Sequence, residues 1–324
     1  MADPVSKKRK TSPTSTTTPA ASSSSSSSSS GRTYTLSIAV PSTLLSTAPN
    51  PVLKTHLAGH LARISALHNV DEIVLYTPTP TPTPSPSSSD TKEDDQLPHI
   101  LTYLATPPYL RKHLFPKHRH LRHVGLLPPL DLPTHPRPGA PAPFRRAVAL
   151  EARPGGKVAF DAGLEQPVVI ASEVEVGTTA LLRMGGGGGA VEAPPRRGRG
   201  TYVGYEVRGA EGLAAVFTEC GWEGGYDLTV GVACGGGGVP LDEAVRDGGA
   251  VPAFRHLLVA VGDLEGAARG DAGLVGVGVG GARELFDLWV DPLPGCGSAG
   301  VRVEEALFAA LVGLRRVVVE KGVR

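Results

Sequence analysis

Cysteine is scarce in this 324-residue chain: Cys220, Cys234 and Cys296 are widely spaced and form no CxxC pair. Any disulfide scheme leaves one thiol over, so neither a disulfide framework nor a zinc module is indicated, and a reducing compartment fits best. Long apolar runs are missing as well. No stretch approaches the roughly 20 residues that span a bilayer, and the N-terminus carries no secretory apolar core. These absences lead us to expect a soluble intracellular protein. A surplus of charge is also lacking, since 32 Lys and Arg face 31 Asp and Glu for a net +1. Bulk electrostatics therefore cannot hold the molecule to nucleic acid, and any such affinity must come from local patches. Finally, no GxSxG elbow, HExxH or P-loop is present, which leaves hydrolase and nucleotide-hydrolysis readings without an anchor.

What is present suffices for a sizeable core, with 40% hydrophobic residues over a length that suits one large domain or two modest ones. Residues 1–31 form a Ser/Thr/Pro-rich tail, expected to be disordered, with a basic cluster at Lys7, Lys8, Arg9 and Lys10. The cluster suits a nuclear import receptor; a solvated charge run is the other reading.

Ordered structure is expected from the alternating, β-branched TYTLSIAV at 33–40, a strand closed by Pro41. From Pro51, Leu53, Leu57, Leu61, Ile64 and Leu67 recur every three or four residues, which predicts a helix with an apolar stripe to about His68. Residues 71–76 then read as a buried strand, and the short connections favour parallel pairing. The alternating Thr-Pro run from Thr77 and the polar stretch after it predict an extended loop over 77–96, since proline blocks both helix and sheet. Helical periodicity returns at Ile100, Leu101 and Leu104.

Nine of the thirteen residues at 111–123 are Lys, Arg or His, the strongest local positive patch. Its histidines His113, His118, His120 and His123 invite a metal reading, but no carboxylate or cysteine lies near and arginines interleave them, so cation repulsion argues against metal. A phosphate-contacting surface and a solvated basic face both remain open. Short β-prone pieces at 168–171 and 180–183 then predict a small barrel of about five strands over 145–208, with glycine and arginine stretches at 185–189 and 196–200 as a hairpin tip. From Gly212 an α/β rhythm resumes: a helix at 213–220, strands at 226–230, 257–261 and 285–290, and a terminal helix from about Val303 with Glu304 and Glu305 in its first turn.

Two turns follow predicted buried strands, VGDLEG at 261–266 and VDPLPGCGSAG at 290–300. Ligands of open α/β sheets settle at such strand ends, and glycine lets main-chain groups approach a ligand closely. On composition alone, ordinary tight turns in a chain of 41 glycines are the better explanation. GVGVGG at 276–281 matches the dinucleotide fingerprint in letters but returns to strand rather than opening a helix, so it lacks the required context.

Collinear motifs across the chain resemble those of the SPOUT-class RNA methyltransferases of eukaryotes and archaea, a family whose animal member is also described as a centromere and spindle-associated protein. They include YTLSIAVP at 34–41, VDEIV at 70–74, YLRK at 109–112, FPKH at 115–118, GLLPPLD at 125–131 and GYDLTVG at 225–231. FRH at 254–256, LFDLWV at 285–290, PGCGS at 294–298 and VRVEEA at 301–306 complete the pattern.

The resemblance implies an α/β fold, a parallel sheet threaded into a trefoil knot over 32–144 and 209–324, with an OB-like β-barrel inserted at 145–208. It implies a homodimer and S-adenosyl-L-methionine as cofactor, held by Gly262, Asp263, Leu264, Gly266, Asp287, Val290, Asp291, Pro294, Gly295, Gly297 and Ser298. Arg111, Lys112, Lys117 and Arg119 are the candidate RNA contacts, while the catalytic residue stays unassigned, with Arg302 and Arg255 as candidates. The implied substrate is a base in ribosomal RNA, uridine favoured, with no membrane and no metal. The expected compartment is the nucleus, the nucleolus in particular, with cytoplasm as the alternative.

One segment departs from the family. Where a Thr-Ser-Glu-Arg-Gly loop is usual, this chain reads VACGGGG at 232–238, with Gly235 at about the arginine position. A lost guanidinium removes a charge-assisted contact commonly worth about 1.5 to 3 kcal/mol, for which Arg246 or Arg255 are conceivable replacements. A catalytically weak scaffold, acting in ribosome assembly or at the spindle, is therefore the alternative function.

Overall fold

The computed structural model describes residues 32–78, 95–137, 140–185, 190–191, 202–234, 237–246, 251–275 and 281–323. The N-terminal tail, nearly all of the Thr-Pro loop, most of the glycine run at 185–189, the arginine stretch at 196–200, Gly235 and the decoy glycines 276–280 lie outside them.

Among the described residues, twelve strands form two sheets. Seven of them, β1 (Thr35–Pro41), β2 (Glu72–Tyr76), β8 (Glu206–Ala210), β9 (Leu228–Val232), β10 (Val239–Pro240), β11 (His256–Val261) and β12 (Leu288–Asp291), build a wholly parallel sheet in the order β10-β12-β9-β11-β1-β2-β8. The other five, β3 (Phe144–Arg153), β4 (Lys157–Asp161), β5 (Val168–Ala171), β6 (Thr179–Arg183) and β7 (Ala190–Val191), pair antiparallel as β5-β4-β3-β6-β7, bent by a bulge between Ala149 and Glu151. Ala147, Val158, Phe160, Ile170 and Leu182 form this second sheet's own core.

Both faces of the parallel sheet are covered, which explains why its strands read as nearly continuous apolar runs. On one face lie α1 (Pro51–Leu67), α2 (Gln96–Ala105) and the C-terminal α8 (Val303–Lys321), packed over Leu36, Ile38, Val40, Val230 and Val259. Short helices occupy the rest of the chain: α3 (Arg111–Leu114), α4 (Leu213–Thr218), α5 (Leu241–Ala244), α6 (Leu264–Gly270) and α7 (Ala272–Val275). Of these, α4, α6 and α7 cover the opposite face over Ala39, Val74, Leu258 and Ala260.

Helix α1 starts where the Asn50 side chain accepts the Leu53 N–H at 2.9 Å and Pro51 presets the first turn. Its buried face holds the middle of the expected stripe, with Leu61 and Ile64 buried and Leu57 packed on the core. The stripe's ends, Leu53 and Leu67, are 46% and 55% exposed, and Thr55, Ala58, Ala62 and Ser65 complete the inward face. Small residues at three- and four-residue spacing let the helix axis sit close to the sheet, and the outer leucines are left at the rim. Residues 206–208, read from sequence as the end of the barrel, instead belong to β8, which pairs with β2 along the edge of the parallel sheet. Residues 282–285, whose last residue was expected to open the final strand, form a 3-10 turn before β12. Among the described residues no helix is long and apolar enough to cross a membrane.

Candidate functional site at the strand ends

The parallel strands β9, β11 and β12 all end on one side of the sheet, and a cavity of about 640 Å³ opens there. Its volume lies within the range of small-molecule and cofactor pockets. It is lined by Val232, Ala233 and Cys234 after β9, by Gly262, Asp263, Leu264 and Glu265 after β11, and by Arg283, Trp289, Val301, Val303 and Ala306.

Backbone conformation at Gly262 makes this wall possible. Its φ is +125°, and a Cβ there would lie 2.4 Å from the Tyr76 hydroxyl and 3.2 Å from Pro41. Only glycine fits without strain. Tyr76, wholly buried, donates that hydroxyl to the Val261 carbonyl at 3.0 Å, and burial pushes its ionisation well above the ordinary tyrosine range. Gly231 plays a similar part in β9, since a Cβ there would strike the Trp289 ring at 2.4 Å. Trp289 is thereby laid beside the cavity.

The first turn of α6 organises the acidic side. Asp263 caps the helix by accepting the Gly266 N–H at 2.8 Å, and a Cβ on Gly266 would come within 2.1 Å of that carboxylate. Gly266 thus shapes the cap, its N–H already used. Glu265 accepts the Ala282 N–H at 3.3 Å, tying α6 to the turn that carries Arg283. Arg283 is the one cationic side chain among the described lining residues.

The sequence expectations fare unevenly here. Gly262, Asp263 and Leu264 line the cavity, and Val290 and Asp291 lie at the adjoining strand end, where Ala233 N–H donates to the Val290 carbonyl at 2.9 Å. Asp291 accepts the Leu293 N–H at 2.9 Å; with burial as the larger cause, it raises the Cys234 thiol to about 11. Asp287 lies at the other end of β12, its carboxylate accepting the Thr229 N–H and hydroxyl, both at 2.8 Å, so it braces strand starts.

Pro294 faces a different cavity with Leu241, Arg246 and α8, and Gly295, Gly297 and Ser298 are exposed. The chain leaves the cavity after β12 and returns to it at Val301.

Arg255 stands at the N-terminal end of β11, where its N–H meets the Asp227 carboxylate at 2.7 Å. The six-residue strand, about 20 Å long, separates it from the cavity, so it cannot replace a cation there. Arg246 lines the second cavity instead. Arg302 caps α8 between the lining residues Val301 and Val303, with its N–H on Glu305 at 3.0 Å and its side chain exposed. Arg283 was not singled out from the sequence because a lone arginine after a glycine run carries no local signal.

The basic segment divides in the same way. Arg111 is partly buried, donating to the Thr106 carbonyl at 3.0 Å and lying 4.4 Å over the Tyr103 ring, and burial lowers its ionisation. It is a packing residue. Lys112 and His113 both face Asp161 of β4, at 3.6 and 2.9 Å. Burial alone would raise that carboxyl, but the Gly163 N–H, the hydrogen bond with the His113 ring and the Lys112 ammonium hold it low. Lys117, Arg119 and Arg122 are exposed. His118 and His120 come together not with His113 but with His99 of α2, their ligand nitrogens within 4.8 Å of one another. Two lone pairs are already used: His118 Nδ1 accepts the His120 N–H, and His120 Nε2 accepts from Arg119, each at 3.3 Å.

Comparison with known proteins bears on this arrangement. A family model described as "Putative RNA methyltransferase" matches residues 35–314. The chain is 36% identical over 312 residues to the human 28S rRNA (uridine-N(3))-methyltransferase, covering 91% of this chain and 81% of the relative. Its mouse counterpart is 33% identical, with 91% and 79% covered. An uncharacterised protein of the archaeon Haloarcula marismortui is 29% identical over 294 residues, 86% of this chain and 98% of its own length.

Proposed function

The chain belongs to the SPOUT-class RNA methyltransferase family, and we propose that it transfers a methyl group from S-adenosylmethionine to N3 of a uridine in large-subunit ribosomal RNA. The observation that carries this reading is similarity over nine-tenths of the chain to an enzyme named for that reaction. The residues of the strand-end cavity fit the cofactor. Gly262 allows close main-chain approach, Leu264, Trp289, Val301 and Val303 give an apolar lining, and Asp263 and Glu265 place negative charge where a cation would sit.

When bound, S-adenosylmethionine supplies an electrophilic methyl on a sulfonium. Transfer to uridine N3 forms an N–C bond, breaks the S–C bond and releases the N3 proton. Much of the catalysis is therefore positioning, with a proton acceptor required besides. Asp263 and Glu265 are the carboxylates at hand in the cavity. Arg283 is placed to stabilise the negative charge that develops on the uracil ring as N3 loses its proton.

On the same reading, the C-terminal strands form a trefoil knot, supported by the order β12-β9-β11, in which the last strand lies beyond an earlier one. The antiparallel sheet is an OB-like insertion, two copies form a homodimer, and the cluster from Lys7 to Lys10 directs the protein to the nucleus. The glycine loop at 232–238 favours a second reading, a fold that keeps cofactor and RNA binding but has lost turnover. Calorimetric binding of S-adenosylmethionine, paired with methyl incorporation into RNA from cells lacking this protein, separates the two. Cofactor binding with incorporation supports the enzyme; binding without incorporation supports the scaffold.

A further inference from the structure

Between α2 and the segment after α3 lies a second cleft, of about 710 Å³, lined by Asp95, Pro98, His99, Thr102, Phe115, His118, Arg119 and His120. Four of these eight side chains are aromatic rings. The His99 and Phe115 rings lie nearly parallel, 21° apart with centroids at 5.8 Å, and His118 tilts against His99 at 4.8 Å. Burial and the neighbouring His118 both lower the basicity of His99, which favours a neutral ring.

A smaller hollow of about 580 Å³ adjoins it, sharing Phe115, His118 and Arg119 and adding Lys117 and Arg122. Together the two hollows set the rings of His99, Phe115, His118 and His120 beside the cations Lys117, Arg119 and Arg122. Asp95 adds a carboxylate at the mouth, and it makes no capping bond to α2. Flat π-faces beside a cationic rim, with one acceptor for N–H donors, match an unpaired nucleotide: base on rings, phosphate on cations.

We propose that this cleft holds an unpaired nucleotide of the RNA substrate, its base against His99, Phe115 and His118 and its phosphate against Lys117, Arg119 and Arg122. The assignment rests on the RNA reading above but names a site separate from the cofactor cavity. Helix α2 packs on α1 and β8, the edge strand, three strand spacings or about 14 Å from β11, the nearest strand that carries the cofactor cavity. The cleft therefore grips substrate RNA away from the reacting base. A metal ion is the competing occupant of the three imidazoles. The guanidinium of Arg119 on His120 Nε2 tells against it, because it occupies one of the two His120 nitrogens and already sets a cation beside the imidazoles.

The test uses the full chain without cofactor and measures fluorescence anisotropy on a short single-stranded RNA and on a duplex of the same length. Phe115→Ala is expected to weaken single-strand binding about tenfold or more, a typical loss for a stacked base, and to leave duplex binding unchanged. Phe115→Trp should restore it. Because Phe115 also packs edge-on to Tyr103 at 5.3 Å, a second, exposed variant guards against misfolding. Lys117→Ala should weaken both RNAs and reduce the salt slope by about one. Equal loss of single and double strands in Phe115→Ala with an unchanged melting temperature, or no loss in either variant, overturns the assignment. So does stoichiometric zinc binding that disappears in His118→Ala while RNA affinity ignores Phe115. S-adenosylmethionine affinity, measured in the same variants, should not move, which keeps failure here distinct from failure of the methyltransferase reading.

Discussion

Gly262 concentrates the argument for the cofactor cavity at one backbone position. Its φ of +125° and the Tyr76 hydroxyl, 2.4 Å from where a Cβ would be, leave no room for a side chain. Gly262→Arg should abolish S-adenosylmethionine binding by calorimetry while RNA anisotropy stays within about twofold; undiminished cofactor affinity would move the site elsewhere. Arg283→Ala makes the complementary prediction. Methyl transfer should fall about 10- to 150-fold, the value of one charge-assisted contact, with cofactor affinity retained. Equal losses in both would make Arg283 a binding residue only. His135 reports on stability. Its Nε2 lies 3.0 Å from the Ala105 carbonyl, and burial lowers its pKa from 6.5 to about 4. The unfolded chain therefore binds a proton that the native one refuses between those values, so this contribution is full above pH 6.5 and is lost as pH falls toward 4. Melting temperatures across that window should drop in the wild type and drop less in His135→Gln. At this scale Gly262 to Leu264 were legible only jointly, a glycine turn at the carboxyl end of a buried strand that the family pattern singles out among many ordinary turns. Asp287 and Arg255 came with the family pattern and the need for a replacement cation, and both stand at the N-terminal ends of their strands, away from the carboxyl ends where the cavity opens.

Elements were more legible than side chains. The strand, helix, strand unit from Thr35 to Tyr76 follows from alternation and a three- and four-residue period, and β1 and β2 do pair parallel. Asn50→Ala should cost about 1 kcal/mol by chemical denaturation, since it frees the Leu53 N–H. A change in midpoint within error would mean that water serves the cap equally well. The leucine period named the helix and the centre of its buried face, Leu57, Leu61 and Ile64, but not the small residues Thr55, Ala58, Ala62 and Ser65 that share that face or the exposure of Leu53 and Leu67 at its ends. Strand β8 was given to the barrel for another reason: EVRGA carries two charges and does not read as a strand of a covered sheet, yet Arg208 is accommodated by Glu72 of β2 at 3.0 Å together with the Ala215 and Val216 carbonyls and the Tyr226 hydroxyl. The basic segment shows the same limit. Charge density marked 111–123, but only packing separates Arg111 from Lys117. Arg111→Ala should lower the melting temperature with little effect on the salt slope of RNA binding, the reverse of Lys117→Ala. Parallel loss of RNA affinity and salt slope in both would return Arg111 to the RNA face.

For the whole molecule, the parallel sheet carries two distinct sites on one scaffold. The cavity at the ends of β9, β11 and β12 is built from backbone turns, as a site for a small ligand requires. The ring-lined cleft beyond the opposite edge of the sheet is built from side chains, as recognition of an unpaired base requires. Periodicity could yield parallel strands and a β insertion, but not strand order: β12 lies beside β9, and β11 beside β1, through pairings between residues far apart in sequence. Turnover is the property on which the account stands, because the loop at 232–238 has lost its expected arginine and Arg283 is offered in its stead. The direct measurement is mass spectrometry of nucleosides from large-subunit ribosomal RNA of cells lacking this protein, before and after incubation with the purified chain and S-adenosylmethionine. The account predicts that N3-methyluridine is missing beforehand and appears afterwards, and that it does not appear with Gly262→Arg. RNA that binds the protein, in the presence of bound cofactor, yet gains no N3-methyluridine would contradict it.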